Sequence, residues 1–394
     1  MLKSYLALGT YNHIPEGTSD SDFENLYQYC YRPFLSALNR FPEIQACMFF
    51  SGSLLRRLEA KHPEYLMLLE EMSARRQIEV LGGAFYAPIL PLIPGSDRVG
   101  QIELLTTWLR KRFGKRPRGC WLHEYAWEPW MASTLQTCGM DYAFIGAPQF
   151  RATLGAKRVP TPVLTEDHGR LTVLVPSWDC GENFDKPLSY PDAFAALGGP
   201  MDKGLVSLMI AGERIRDLWE ASGVESPDAY MESVFGELRK LTLLVDITTP
   251  SRYLKTHRPA DREYFPGAAS ERFMRGLSSD PSANPSMRSA MLRYAAGSAL
   301  YSRMHHVSII IGQLRGDRSR KKTASEDLWK GQGADAYWLA PNGGIASARI
   351  RRAAFTALLD AEQTTRLKGT FKPGIVRADL DFDGVKELLF QGTD

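Results

Sequence analysis

The sequence predicts an α/β chain: a barrel of parallel strands joined by crossover helices, then a helical region, then a short β segment. Three observations carry this. Short apolar runs alternate with longer amphipathic stretches through the first 250 residues. From about 271 to 368 the pattern turns helical, and the tail "GIVRADLDFDGVKELLF" returns to strand character. A chain of 394 residues that is 44% hydrophobic and 24% charged can bury a core of the size such a barrel needs.

The runs, in order, are "YLALGT", "ACMFFSG", "IEVLGG", "RGCWLH", "YAFIGA", "LTVLVPS", "LVSLMIAG" and "LTLLVDI". Between them lie stretches such as "SLLRRLEAKHPEYLMLLEEMSARR", apolar at i, i+3, i+4 and i+7, which is the spacing of one helix face. Strand then helix, repeated, implies parallel strands. Seven or eight units point to a closed barrel over residues 1–270, with an open doubly wound sheet as the alternative. Over 271–368 the longest patterns, "SMRSAMLRYAAGSALYSRMHHVSIIIGQL" and "ASARIRRAAFTALLDAEQTTRL", read as a helical bundle. Residues 369–394 read as the start of a β domain or a β tail.

Charge and cysteine usage narrow the function classes. There are 48 Lys plus Arg against 45 Asp plus Glu, a net charge of +3, which gives no concentrated basic surface for nucleic acid. The one strong basic run, "RGDRSRKK" at 315–322, reads as a solvated loop. Five scattered cysteines without a CxxC pair suggest reduced thiols and no zinc site, and the N-terminal apolar run is too short for a signal peptide. No stretch approaches the roughly 18 apolar residues of a membrane span. The expectation is a cytoplasmic protein with no nucleic-acid or membrane partner, and nothing in the composition opposes a homo-oligomer.

Barrels and open sheets both place their sites beyond the carboxyl ends of the strands. "LALGTYNH" ends at His13, "GCWLH" delivers Glu124, and "SLMIAG" delivers Glu213. Glu79 lies inside an apolar strand, where an unpaired carboxylate is costly. Glu124 sits in "WLHEYAWEPWM", among Trp121, Trp127 and Trp130. A carboxylate among indoles suits catalysis beside a sugar-stacking platform; the alternative is core packing of the rings. In the tail, Asp379, Asp381 and Asp383 alternate before Gly384, with Glu387 following, a pattern that suits a structural calcium ion. It is not an EF-hand, because its twelfth position is Phe390. His305 and His306 fall in a helical pattern and read as structural.

Several segments together resemble glycoside hydrolase family 57, and within it the 4-alpha-glucanotransferase and alpha-amylase-like branch. They are "YNHIP" (11–15), "RQIEVLGGAFYAPILPLIP" (76–94), "WLHEYAWEP" (121–129) and "GQGADAYWLAPNGG" (331–344), with "TTPSRYL" and "REYFPGAAS" as connecting matches. The resemblance implies a (β/α)7-type barrel followed by a helical bundle. It also implies retaining chemistry on α-glucans or maltooligosaccharides with no cofactor, Glu124 as nucleophile, and Asp335 and Trp338 lining the glucan site. One position departs from the pattern. The family's general acid/base is an aspartate directly before "GE"; the matching segment here is "LMIAGERIRDLW", with Ala211 in that place and Trp219 one residue late. The resemblance therefore leaves two functions open: an enzyme drawing its proton from Glu213 or Asp217, or a relative that binds glucan or a partner protein without turnover.

Overall fold

The structure, a computed structural model, describes residues 4–155, 161–199, 204–277, 286–366, 372–380 and 384–392. The chain divides into two units. The first comprises residues 1–14, 19–85 and 102–269; the second takes 15–18, 86–101 and 270–394.

The apolar runs of the first unit become strands β1 (Ser4–Asn12), β2 (Ala46–Phe50), β3 (Ile78–Leu81), β4 (Gly119–Cys120), β5 (Tyr142–Gly146), β6 (Val163–Asp167), β7 (Arg170–Asp179), β8 (Leu205–Ala211) and β9 (Val245–Ile247). Seven of them pair in parallel in the order β3-β2-β1-β8-β7-β5-β4. A parallel bridge between Gly82 and Cys120 joins the two ends, with Gly82 N donating to Gly119 O (2.8 Å) and Trp121 N to Gly82 O (2.8 Å). The result is a nearly closed seven-stranded barrel. β9 pairs with the start of β1, and β6 forms an antiparallel hairpin with β7.

The amphipathic stretch "SLLRRLEAKHPEYLMLLEEMSARR" is helical but not continuous. Two helices are present, Gly52–Lys61 and Pro63–Ala74, divided at His62 (φ −135°). Pro63 has no amide hydrogen to continue the first helix, but its fixed φ suits the first position of the second. Other barrel helices carry conventional start signals. Ser226 caps Pro227–Leu241 by accepting from Ala229 N (3.2 Å), with Asp228 in the first turn and Arg239 and Lys240 in the last. Both charge placements complement the helix dipole.

Alternation along each strand sends every second residue into the barrel. The inward set includes Ala7, Gly9 and Tyr11 of β1, Cys47 and Phe49 of β2, and Ser207, Met209 and Ala211 of β8, aligned by the strand registers. Asp179 of β7 lies level with Met209. The interior is filled, and Tyr11, Cys47, Phe49 and Met209 are all nearly inaccessible.

The second unit is largely helical, with Met287–Arg293, Ala295–Gln313, Arg318–Gly331 and Ala348–Thr365 its main elements. The first two were read from sequence as one helix; they part at Tyr294, whose ψ of 88° leaves the helical region. A buried polar chain runs through the unit. Asp97 accepts from Ser308 Oγ (2.8 Å) and Gln332 Nε2 (2.8 Å), Gln332 accepts from Gln101 Nε2 (2.9 Å), and Gln101 accepts from Tyr86 N (3.0 Å). Each member is satisfied, as burial of polar groups demands. The tail forms a hairpin of β10 (Gly374–Ala378) and β11 (Glu387–Gln391). There Asp379 accepts from Gly384 N (3.0 Å) and Glu387 from Leu380 N (2.6 Å), while Asp381 and Asp383 lie outside the described residues.

His305 and His306 sit on Ala295–Gln313, and burial holds both imidazoles below their ordinary pKa; nearby arginines act in the same direction. The folded state therefore keeps them neutral where the unfolded chain would bind protons. Their contribution is present above the unfolded pKa of about 6.5 and is lost as pH falls below it. The melting temperature is expected to drop between pH 7.5 and pH 5.5, and His306→Gln should reduce that drop. A drop of unchanged size in the variant would remove His306 as a cause.

Candidate active site

The segment after β4 is held at both ends. Trp121 N is tied to Gly82 O, and Trp127 exchanges backbone hydrogen bonds of 2.8 and 2.9 Å with Ala268. Between these anchors the chain makes a tight turn at His123–Tyr125, in which Tyr125 N reaches Leu122 O (2.9 Å). Glu124 (φ 56°, ψ 24°) and Tyr125 (φ 50°) both adopt the left-handed conformation. Such residues cost roughly 1–3 kcal/mol each and persist only where their surroundings over-determine them, most often at functional sites. Neither is a glycine, so the side chains are retained at that cost.

The turn buries Glu124 almost completely, with its side chain 2% exposed. His123 Nε2 lies 3.9 Å from Glu124 Oε1, and the His13 ring meets His123 edge-on at 5.1 Å between centroids. His13 follows directly on β1. Strand ends β1 and β4 thus bring His13, Trp121, His123 and Glu124 together. Trp121 stacks on Tyr11 at 4.4 Å and 15°, with Tyr125 against its edge at 5.0 Å. One face of Trp121 is thereby covered by protein. Trp127 is fully buried, and the indole N–H groups of both tryptophans are buried with no hydrogen-bond partner among the described residues.

Glu79 occupies a different part of the interior. It accepts from Tyr142 Oη (2.7 Å), from Ser251 N (3.2 Å) and from Ser251 Oγ. Burial, reinforced by the Glu79 carboxylate, holds the Tyr142 phenol well above its usual range, so it remains a donor. These three bonds brace strands and loops from across the barrel.

β8 ends at Ala211, which is inward-facing, level with Tyr11 and only 1% exposed. One pleat below on the same face, Asp179 accepts from Tyr11 Oη (2.6 Å) and from Gly181 N (2.8 Å). Sequence reasoning passed over this pair, although Asp179 ends an apolar run in the way Glu124 and Glu213 do. Glu213 is exposed and precedes the helix Arg214–Ser222. Asp217 is paired with Arg214 (3.0 Å), which also holds Glu182 (2.9 Å). Trp219 lies parallel to Tyr29 at 5.8 Å and donates to Val224 O (2.9 Å). Tyr29 belongs to a π-helical turn, Tyr27–Tyr31, a feature enriched near functional sites.

The turn also fixes Gly212. A Cβ there would collide with Asn12 Oδ1 and press on Tyr31 at 3.0 Å. Asn12 has no freedom to yield, since its side chain donates to Thr10 Oγ1 (2.8 Å) and Phe49 O (2.9 Å). Gly212→Ala is expected to destabilise by about 1–3 kcal/mol through overpacking. Denaturant unfolding with a midpoint equal to that of the native chain would contradict this.

Asp335 and Trp338 belong to the second unit. Asp335 is buried in the turn Ala334–Tyr337 and accepts from Asn342 Nδ2 (2.6 Å), while Asn342 accepts from Gly344 N (3.1 Å). Trp338 is 2% exposed and packs edge-on against Phe273 at 5.2 Å.

The first unit is thus a parallel barrel with a buried carboxylate in a left-handed turn at one strand end, and sequence comparison gives the family. Residues 1–266 match Glycosyl hydrolase family 57 and residues 286–365 match the Alpha-amylase/4-alpha-glucanotransferase middle domain. The chain belongs to glycosyl hydrolase family 57. It is 28% identical over 429 residues to Alpha-amylase 1 of Dictyoglomus thermophilum, covering 99% of this chain and 61% of that protein. It is also 28% identical over 419 residues to the 4-alpha-glucanotransferase of Thermococcus litoralis, covering 97% and 60%. The crystal structure of that glucanotransferase superposes with a TM-score of 0.85 at 25% identity, covering 100% of this chain and 64% of that one. The chain thus spans about three fifths of the length of these relatives. No helix among the described residues is long and apolar enough to cross a membrane.

Proposed function

We propose that this chain acts on α-1,4-glucans by a retaining mechanism with Glu124 as the nucleophile. The observation that carries the reading is the left-handed backbone at Glu124 and Tyr125, sustained by anchors on both sides. Relatives named as alpha-amylases and 4-alpha-glucanotransferases support the substrate class. In this chemistry the Glu124 carboxylate attacks the anomeric carbon, and the glycosyl ester is then released to water or to a sugar hydroxyl. The buried turn keeps the carboxylate in one orientation and limits water around it.

A second reading has its own observation. Retaining cleavage uses a second carboxyl group about 5–5.5 Å from the first to protonate the leaving oxygen. The residue at the end of β8 is Ala211, Glu213 is exposed, and Asp217 is engaged by Arg214. A chain that binds glucan with little or no turnover fits these facts.

Incubation with maltoheptaose, with analysis of product lengths, separates the readings. Redistribution of chain lengths supports transfer, shortening alone supports hydrolysis, and intact maltoheptaose that binds in calorimetry supports the second reading. Absence of binding to any maltooligosaccharide would reject both.

A further inference from the structure

A groove of about 490 Å³ lies wholly within the second unit. Small-molecule sites span roughly 300–1,000 Å³, so its size is that of a binding site. One wall is the turn at residues 15–18, closed by Thr18, whose N (3.2 Å) and Oγ1 (2.7 Å) both donate to Pro15 O. Gly17 (φ 87°) rests on the helix Ala348–Thr365, where a Cβ would stand 2.9 Å from Arg349 O and 3.1 Å from Ala353 Cβ. The opposite wall is the end of the helix Arg318–Gly331, with Asp327 and Lys330 linked at 2.6 Å. Ala353 and Ala357 lie deeper, and their small side chains leave the space between the walls open. Along the rim Arg349, Arg352, Thr356 and Asp360 are all exposed, with Arg352, Thr356 and Asp360 about 6 Å apart in turn along the helix axis.

The charges on the lining select the class of ligand. Glu16, Asp327 and Asp360 stand against Lys330, Arg349 and Arg352, three of each sign. A phosphate or polyanion site needs an excess of cations, and a metal site needs converging oxygen ligands. A balanced lining suits a neutral ligand that both donates and accepts. Sugar hydroxyls do this: each can give its hydrogen to a carboxylate and take one from a guanidinium, and hydrogen bonds to ionised groups are the stronger kind. The alanine floor suits the C–H faces of a pyranose ring, and the exposed rim lets a chain longer than the groove leave it at the ends. We propose that this groove is a second maltooligosaccharide-binding site, in addition to the one at Glu124. It binds an α-glucan chain without cleaving it, through Arg352, Thr356 and Asp360. The identity of the sugar as an α-glucan rests on the function proposed above; the neutral, hydroxyl-rich class rests on the groove itself.

The test is a calorimetric titration of maltoheptaose into the full chain carrying Glu124→Gln, so that turnover does not consume the probe. Two binding sites per chain are expected. Adding Arg352→Ala together with Asp360→Ala, which leaves the net charge unchanged, should lower the count to one. Thr356→Trp, which fills the groove without removing a charge, should do the same. All three positions are exposed, so the melting temperatures of these chains should match that of their parent. One site in every chain would overturn the groove and leave the Glu124 reading intact. Two sites in every chain would place the second sugar elsewhere and overturn the groove as well. A fall from one site to none would uphold the groove and remove the barrel as a glucan site. Cellohexaose bound at the groove as tightly as maltoheptaose would overturn its assignment to α-glucans. Absence of binding in every chain would overturn both readings together.

Discussion

Replacing Ala211 by aspartate is expected to raise maltoheptaose cleavage by about 10²-fold or more, the rate general acid/base assistance supplies. Ala211 ends an inward-facing strand, level with Tyr11, so a carboxyl group there would project from the same strand end that borders the Trp121 stack. The adjoining Tyr11 hydroxyl is already committed to Asp179, which leaves the new group to the substrate's leaving oxygen. The position is only 1% exposed, and burial of a carboxyl group favours its protonated form, which is the form a general acid requires. Initial rates on maltoheptaose for the native chain and the variant check this. Equal rates in two chains of equal melting temperature would mean that the acid is supplied elsewhere or that position 211 does not reach the bond.

Glu124→Gln should abolish whatever turnover the native chain and the Ala211→Asp variant display. Glutamine preserves the shape of the side chain and removes the charge and the nucleophile. A loss of about 10³-fold or more is expected, because removal of an attacking group disables every later step. The strained turn is held by backbone bonds of Tyr125, Ala126 and Trp127, none of which uses the carboxylate, so the fold should persist. Maltooligosaccharide binding measured by calorimetry should survive while products vanish. A Glu124→Gln chain that still redistributes maltoheptaose would place the nucleophile on another residue.

Much of the barrel was legible in the sequence. Apolar runs such as "YLALGT", "ACMFF" and "YAFIG" became β1, β2 and β5, because a strand buried on both faces has a local signature. The hairpin of β6 and β7 was not read, although its turn at His168 and Gly169, both at positive φ, follows a recognised pattern. β4 is two residues long, and its apolar run gives no sign that the chain leaves the sheet there. The splits at His62 and Tyr294 are also local events. Pro63 announces the first, whereas nothing in the apolar periodicity announces the second.

The sequence by itself placed Glu124 at a strand end and, through the family resemblance, Ala211 where that resemblance expects an aspartate. Both follow from motif position, a matter of neighbours along the chain. Only the tertiary structure decided what each carboxylate is engaged with. Glu79 is partnered by Tyr142 and Ser251, 63 and 172 residues away, and Asp179 by Tyr11, 168 residues away. It also decided that Trp121 gives one face to Tyr11 and that Glu124 sits in a left-handed turn. Strand periodicity is a local property of the backbone, whereas these pairings exist only once a closed sheet brings distant strands face to face across its interior.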